Sequence, residues 1–173
     1  MSDVLLAPRL PQRFLEPGDL LLLREPCEVT TVLGSCVAVT LWHRTTRSAA
    51  ICHAMLAAPS DESGHPGDPV RRWKYVTDAV PKMVEFFLHR AVRPGTLQAK
   101  VFGGSDLLRM ESHDAENSIG AGNTRTAVGL LGSYGITVKA CDTGGRTGRK
   151  LIFNTFTGGV RVKLLPSPLP QPL

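Results

Sequence analysis

The run from residue 36 to residue 42, Cys-Val-Ala-Val-Thr-Leu-Trp, carries apolar side chains at almost every position. A strand with one solvent-exposed face alternates apolar and polar residues, whereas a strand buried on both faces is apolar throughout. The run therefore predicts a strand that is covered on both sides. A chain of 173 residues is large enough for one such core and hardly for two. We expect a single-domain α/β fold, a layered sandwich of mixed β-sheets flanked by helices.

The apolar patterns elsewhere predict more strands than helices. Pro81 lies inside the first helical pattern and predicts a kink or a late helix start, because proline cannot donate the i→i−4 hydrogen bond. Residues 57–71 contain several Pro, Gly and Asp and predict a long loop. Strands are predicted at 20–23, 29–33, 36–42, 49–56, 97–102, 136–140, 150–156 and 160–165, and helices at 73–92 and 119–134.

Both ends of the chain differ in pattern from its middle. Residues 1–17 show no clear periodicity and are expected to form an N-terminal arm. Residues 166–173 alternate proline with other residues, which excludes a helix or a central strand and predicts a disordered tail. The globular domain is expected to span residues 18–165.

The chain is basic, with a formal net charge of +5 and a pI near 9.3. Such a balance favours an acidic partner, either nucleic acid or an acidic protein surface, and a solvated basic face is the simpler alternative. Basic residues are not interleaved with aromatic ones and no nucleic-acid-binding motif is present, so we do not expect nucleic acid as a partner.

The cysteine pattern and the apolar runs bear on the compartment. Four cysteines without a tight framework are typical of free thiols in a reducing cytoplasm. The longest uncharged apolar stretch, residues 29–42, is too short to span a bilayer. The N-terminus lacks the basic and apolar regions of a secretory signal. A cytoplasmic protein without direct membrane insertion is expected.

Cys36 and His53 form the most informative pair of polar residues. A hairpin symmetric about residues 44 and 45 would place Cys36 directly opposite His53 on the same face. An imidazole that close makes the thiolate available at neutral pH and can protonate a leaving group. Gly34 permits a tight backbone conformation before the thiol, and main-chain N–H groups around Gly34 and Ser35 can hold an oxyanion.

Each of these residues also has a structural interpretation. A lone Cys36 is often a small buried hydrophobe, and a lone His53 is often a core histidine. Their expected pairing across two strands favours the catalytic interpretation. A hydroxyl at Thr30 or Thr31 can orient the imidazole or the substrate, although threonine is also common in strands.

Other site types have weaker support. The cysteines and His53 show neither a C-x₂-C pair nor a histidine ladder, so no metal site is expected. The glycine pairs at 103–104 and 144–145 lack the spacing of a phosphate-binding loop and predict tight turns instead.

Several short motifs, taken in order, resemble the CheD family, the chemoreceptor glutamine deamidases of bacterial and archaeal chemotaxis. The resemblance extends over about residues 18–165, and its strength lies in the order of motifs that are each only moderately specific. The matching segments are residues 33–39, 53–56, 74–75, 99–104, 119–123 and 142–146.

The resemblance implies a fold and a reaction. The fold would be a layered α/β sandwich similar to the catalytic domain of a deamidating toxin. The reaction would hydrolyse glutamine side-chain amides of methyl-accepting chemoreceptors to glutamate and ammonia without a cofactor. Cys36 would be the nucleophile and His53 the general base and acid. The third catalytic position lies six residues before the cysteine, at Thr30, with Thr31 as the alternative.

Some members of the family bind the phosphatase CheC, so the resemblance also implies a CheC-like partner. Two alternatives to a receptor deamidase follow from the sequence. One is a non-catalytic binding module that regulates a CheC-like phosphatase or a receptor. The other is a cysteine hydrolase that acts on a different amide.

Overall fold

The fold consists of two β-sheets and two α-helices. A computed structural model describes residues 9–60, 72–107 and 118–166. The helices are α1 (Val76–Leu88) and α2 (Ile119–Ser133), and a single 3₁₀ turn lies at Pro94–Thr96. The strands are β1 (Gln12–Phe14), β2 (Leu20–Leu23), β3 (Glu28–Leu33), β4 (Val37–Trp42), β5 (Ala49–Ala54), β6 (Gln98–Gly103), β7 (Val138–Thr143), β8 (Arg149–Asn154) and β9 (Gly159–Leu164).

The strands form a four-stranded sheet in the order β1-β3-β8-β9 and a five-stranded sheet in the order β2-β5-β4-β6-β7. Both sheets are mixed, because the β1–β3 and β6–β7 pairs are parallel and the others antiparallel. The predicted layered α/β sandwich with mixed sheets is confirmed. The helices pack against the five-stranded sheet, so the layers run sheet, sheet, helices.

Strand β4 occupies the centre of this arrangement. All six of its residues are buried. Val37, Val39 and Leu41 pack with the helices, whereas Ala38 and Trp42 pack in the apolar cluster between the two sheets. The cover on both faces that the sequence predicts for this strand is confirmed.

Helix α1 begins at Val76, five residues before Pro81, so the proline lies inside the helix rather than marking its start. The helical turn around Pro81 is held in place by apolar residues that pack with the five-stranded sheet. These are Val76, Ala79, Val80 and Met83, which are all buried. Burial of this face offsets the hydrogen bond that Pro81 removes.

The N-terminal segment differs from the arm expected for residues 1–17. Residues 12–14 form β1 and pair in parallel with β3, and Leu15 is fully buried between the sheets. The sequence gives little sign of this strand, because it is three residues long and all three side chains are exposed. Residues 1–8, 61–71 and 167–173 lie outside the described residues, and with them the Pro-rich tail and most of the predicted loop.

The burial of Leu15 predicts its contribution to stability. Leu15→Ala should lower the free energy of unfolding by about 2–4 kcal/mol, because it leaves a cavity between the sheets. The neighbouring Phe14 is 55% exposed, so Phe14→Ala should change stability by less than about 1 kcal/mol. Urea unfolding of the two variants measures the difference. Equal, small effects would show that this segment does not belong to the folded domain.

Candidate active site

The register between β4 and β5 differs from the predicted one. His53 pairs with Ala38, not with Cys36. The reason is the connecting loop, in which the His43 N–H donates to the Ser48 carbonyl at 3.0 Å and Arg47 has a positive φ of 54°. The loop is therefore centred one residue later than residues 44 and 45, which shifts the pairing by two residues.

A shift of two residues leaves Cys36 and His53 on the same face, because side chains alternate with a period of two. Cys36 directly precedes β4 and packs, half-buried, against the cluster between the sheets. His53 is 2% exposed and extends toward the four-stranded sheet, where it meets Thr31. The register thus places Cys36 diagonal to His53, two residues before Ala38, which is the direct partner of His53.

Thr31, and not Thr30, lies beside the imidazole. The Thr31 side chain is fully buried and its Oγ1 is 2.8 Å from His53 Nδ1. Thr30 is the neighbouring residue on β3, so its side chain points to the other face of the four-stranded sheet. Of the two threonines left open by the sequence, the structure brings only Thr31 to the histidine.

The hydrogen bonds of Thr31 determine the tautomer of His53. The Thr31 hydroxyl donates to the Leu15 carbonyl at 2.8 Å, and a carbonyl can only accept. With its proton used there, the hydroxyl oxygen accepts from Nδ1–H of His53. Nε2 of the neutral ring then carries the lone pair, which is the state that a general base requires.

The backbone of His53 is also fixed by the N-terminal segment. The Gly18 N–H donates to the His53 carbonyl at 2.8 Å, and the His53 N–H donates to the Asp19 carbonyl at 3.0 Å. Sequence reasoning missed the role of residues 15–19, because Leu15, Gly18 and Asp19 act through main-chain groups that leave no side-chain signature.

The turn that carries Cys36 is held from the β6 side. The Ser105 N–H donates to the Gly34 carbonyl and the Gly104 N–H donates to the Cys36 carbonyl, both at 2.8 Å. Gly103 adopts a φ of +103°, and a Cβ at this position would collide with the Cys36 carbonyl oxygen. A glycine is therefore required here for the two backbones to approach each other.

A buried arginine supports Ser105. Arg149 is 5% exposed, and its guanidinium donates to Ser105 Oγ, to the Gly144 carbonyl at 2.8 Å and to Asp142 Oδ1 at 3.1 Å. The sequence places this residue in a basic stretch, for which a solvated face is the simplest expectation. Its fork of donors instead ties the loop after β6 to the loop after β7.

The two glycine pairs meet each other in these loops. The Gly144 N–H donates to the Gly103 carbonyl at 2.9 Å, and Gly104, Gly144 and Gly145 all have positive φ. The two pairs lie at the end of β6 and just after β7, where they pack the two connections against each other, and the tight turns predicted for them stay a prediction.

Burial governs the electrostatics of the thiol and the imidazole. It raises the pKa of Cys36, with a smaller lowering effect from the residue's own backbone N–H. It lowers the pKa of His53 to about 4, against smaller raising effects of the Leu15 carbonyl and the Asp19 charge. At neutral pH the resting pair is therefore uncharged. Desolvation of both groups opposes the thiolate expected from the sequence, which therefore stays a prediction for the resting protein.

No group of three or more His, Cys, Asp or Glu side chains able to hold a metal ion occurs among residues 9–60, 72–107 and 118–166. All four cysteines are free thiols. No helix in the described part of the chain is long and apolar enough to cross a membrane.

A thiol, a neutral imidazole and a buried hydroxyl between the two sheets are the groups that cysteine-dependent acyl transfer uses. The family comparison is consistent with this class of site. A family model described as CheD chemotactic sensory transduction matches residues 55–164. The chain belongs to the CheD family.

Curated relatives match over more of the chain than the family model does. A protein of Geobacter sulfurreducens named "Probable chemoreceptor glutamine deamidase CheD 2" is 42% identical over 158 residues, which are 91% of this chain and 92% of the relative. A Trichlorobacter lovleyi protein named "Probable chemoreceptor glutamine deamidase CheD" is 42% identical over 85% of this chain and 86% of its own length. A Pyrococcus abyssi protein of the same name is 37% identical over 76% and 77%.

The low pKa of His53 predicts how stability depends on pH. The unfolded state binds a proton near pH ~6.5, whereas the folded state binds it only near pH 4. Stability is therefore complete above about pH 6.5 and falls as the pH drops toward 4, by on the order of 3 kcal/mol from this one group. Urea unfolding of the wild type and of His53→Gln at pH ~7 and pH ~4 isolates this contribution. The wild type should lose more stability than the variant, and parallel losses would contradict the assignment.

Proposed function

We propose that this protein hydrolyses the side-chain amides of chemoreceptor glutamines to glutamate and ammonia, as a protein-glutamine glutaminase. The observation that carries the proposal is the 2.8 Å contact between Thr31 Oγ1 and His53 Nδ1, which leaves Nε2 of a buried imidazole free to act as a base in the region between the sheets where Cys36 packs. The names of the relatives, which cover up to 91% of this chain, supply the substrate.

The uncharged resting pair defines the first step. The Cys36 sulfur attacks the carboxamide carbon while His53 Nε2 takes the thiol proton, so that charge develops only with the substrate in place. The carbonyl oxygen becomes an oxyanion. The backbone N–H of Cys36 lies toward its own sulfur and, with the Ser35 N–H, is suited to stabilise that charge.

The same histidine completes the reaction. Its pKa of about 4 makes the imidazolium a strong proton donor, which passes the proton to the departing nitrogen and releases ammonia. The carbon–nitrogen bond breaks and a thioester to Cys36 remains. His53 then removes a proton from water, the hydroxide attacks the thioester, and glutamate leaves as the thiol is protonated again. The cycle uses no cofactor.

The proposal extends to partners and location. The protein substrates are methyl-accepting chemoreceptors, and a CheC-like phosphatase is the second partner. The cytoplasm is the compartment in which free thiols and receptor signalling domains meet. The net charge of +5 favours association with an acidic receptor surface.

Replacing each threonine separately tests the orientation of the imidazole. Thr31→Val should lower kcat about tenfold or more, because Nδ1–H loses its acceptor and the ring loses its fixed tautomer. Thr30→Val, one residue away on the other face, is the matched control and should leave kcat unchanged. Ammonia release with a receptor fragment measures both. A larger loss for Thr30→Val would reverse the assignment.

Mass spectrometry tests the reaction itself. Solubilised receptors from the same organism, incubated with the wild type, should gain about 1 Da at selected glutamines, because an amide NH₂ becomes OH. Cys36→Ala should abolish this change while unfolding at the same urea concentration as the wild type. Unchanged receptors with the wild type would refute the proposal. A Cys36→Ala variant that still supports chemotaxis would favour a non-catalytic binding module.

A further inference from the structure

We propose that Asn123 is a positioning residue that locks the turn carrying Cys36 to the strand carrying His53. The inference deepens the proposed deamidase function and rests on it. Asn123 belongs to helix α2, in the segment 119–123 that contributes to the family resemblance, and no step of the mechanism uses it.

One amide group joins the two halves of the site. Asn123 Nδ2 donates to the Ser35 carbonyl at 3.1 Å and to the Met55 carbonyl at 2.9 Å. Ser35 precedes the nucleophile by one residue, and Met55 follows the base by two. Because both acceptors are carbonyl oxygens, both contacts must come from the NH₂ group, which fixes the orientation of the amide.

The bond to the Ser35 carbonyl completes a set of three hydrogen bonds to the turn that carries Cys36. The carbonyls of Gly34, Ser35 and Cys36 accept in turn from the Ser105 N–H, from Asn123 Nδ2 and from the Gly104 N–H. In a trans peptide the N–H points away from the C=O of the same unit. Fixing the Gly34 and Ser35 carbonyls therefore aims the Ser35 and Cys36 N–H groups in the opposite direction, and these are the proposed oxyanion donors. Asn123 supplies the only side-chain group among the three donors.

The surroundings of Asn123 indicate that this role has a cost. Its side chain is 1% exposed, and Oδ1 has no hydrogen-bond partner among the described residues. A buried acceptor left unpaired destabilises the folded protein. An apolar residue at this position would avoid that unpaired oxygen but would leave the Ser35 and Met55 carbonyls without this donor, so the value of the side chain lies in the two bonds that Nδ2 makes.

Helix α2 reaches this position through backbone contact. A Cβ at Gly120 would collide with the Gly104 carbonyl oxygen, and a Cβ at Gly104 would collide with Thr124 Oγ1. The two glycines let the first turn of the helix lie directly on the loop after β6. Asn123, one turn further on, then enters between the turn at Ser35 and the end of β5.

The experiment compares two variants by two measurements. Asn123→Ala removes the amide, and Asn123→Leu removes it while filling a similar volume in a helix that tolerates leucine. With a receptor fragment, kcat should fall about tenfold or more with KM within about twofold, because the loss affects the transition state and not substrate binding. Asn154→Ala is the matched control: the Asn154 side-chain amide likewise makes two bonds to main-chain groups, because its Oδ1 accepts from the N–H groups of Phe156 and Thr157 in the β8–β9 turn.

The second measurement needs no receptor. Alkylation of Cys36 by iodoacetamide is followed by peptide mass spectrometry at neutral pH, where the thiol depends on His53, and at pH ~10, where it depends less on that base. The alkylation rate at neutral pH divided by the rate at pH ~10 should fall several-fold in the Asn123 variants, toward the value for His53→Ala. The exposed Cys141 is an internal reference, whose alkylation rate at a given pH should be the same in the wild type and in the variants.

The outcomes separate the two proposals. A wild type that alkylates as expected but leaves receptors unchanged would refute the substrate while leaving the role of Asn123 supported. A folded Asn123 variant with wild-type kcat and a wild-type alkylation ratio would overturn the role. Loss of folding in both variants would also overturn it, because Asn123 would then serve global stability rather than the geometry of the site.

Discussion

The site depends on one hydroxyl group that links the two sheets. Thr31 lies in the four-stranded sheet, donates to the Leu15 carbonyl and accepts from His53, which lies in the five-stranded sheet. This bridge forms only if the sheets pack at the right separation, β3 presents Thr31 inward, and the N-terminal segment runs alongside β3. The apolar cluster between the sheets, with Val29, Leu33 and Phe153 fully buried, maintains that spacing. The tautomer of His53 is thus a consequence of how the two sheets pack.

Burial has opposite effects on the two halves of the proposed reaction. It makes ionisation of Cys36 less favourable, so the thiol is a weaker nucleophile at rest and must be activated as it attacks. The same burial makes protonated His53 a stronger acid, which helps expel ammonia from a carboxamide. An amide has a poor leaving group, so proton delivery to nitrogen matters more for this substrate than a preformed thiolate. An uncharged resting pair suits a reaction in which proton delivery to the leaving nitrogen matters more than a preformed thiolate.

The sequence predicts the part of this structure that follows from local pattern. Residues 36–42 carry apolar side chains on both faces, and that alone leads to a covered central strand and a layered fold. The predicted register between β4 and β5 is wrong by two residues, because a positive φ at Arg47 is a property of the folded loop and not of the residue type. The choice between Thr30 and Thr31 depends on which face of β3 is buried. The sequence leaves this open, because the alternation of apolar and polar residues around the two threonines is weak. The contributions of Leu15, Arg149 and Asn123 come from contacts distant in sequence, which no local pattern encodes.

The two proposed catalytic groups are supported by different parts of the chain. His53 is fixed by residues 15–19 and by β3, whereas the turn carrying Cys36 is fixed by α2 and by the loops after β6 and β7. Asn123 is the described side chain that bonds both the turn and the end of β5. A perturbation on the N-terminal side therefore alters the basicity and orientation of the imidazole and leaves the turn in place. A perturbation of α2 alters the position of the thiol and its N–H groups and leaves the tautomer of His53 in place. The separation between the nucleophile and the base is set where these two supports meet, at the carbonyls of Ser35 and Met55.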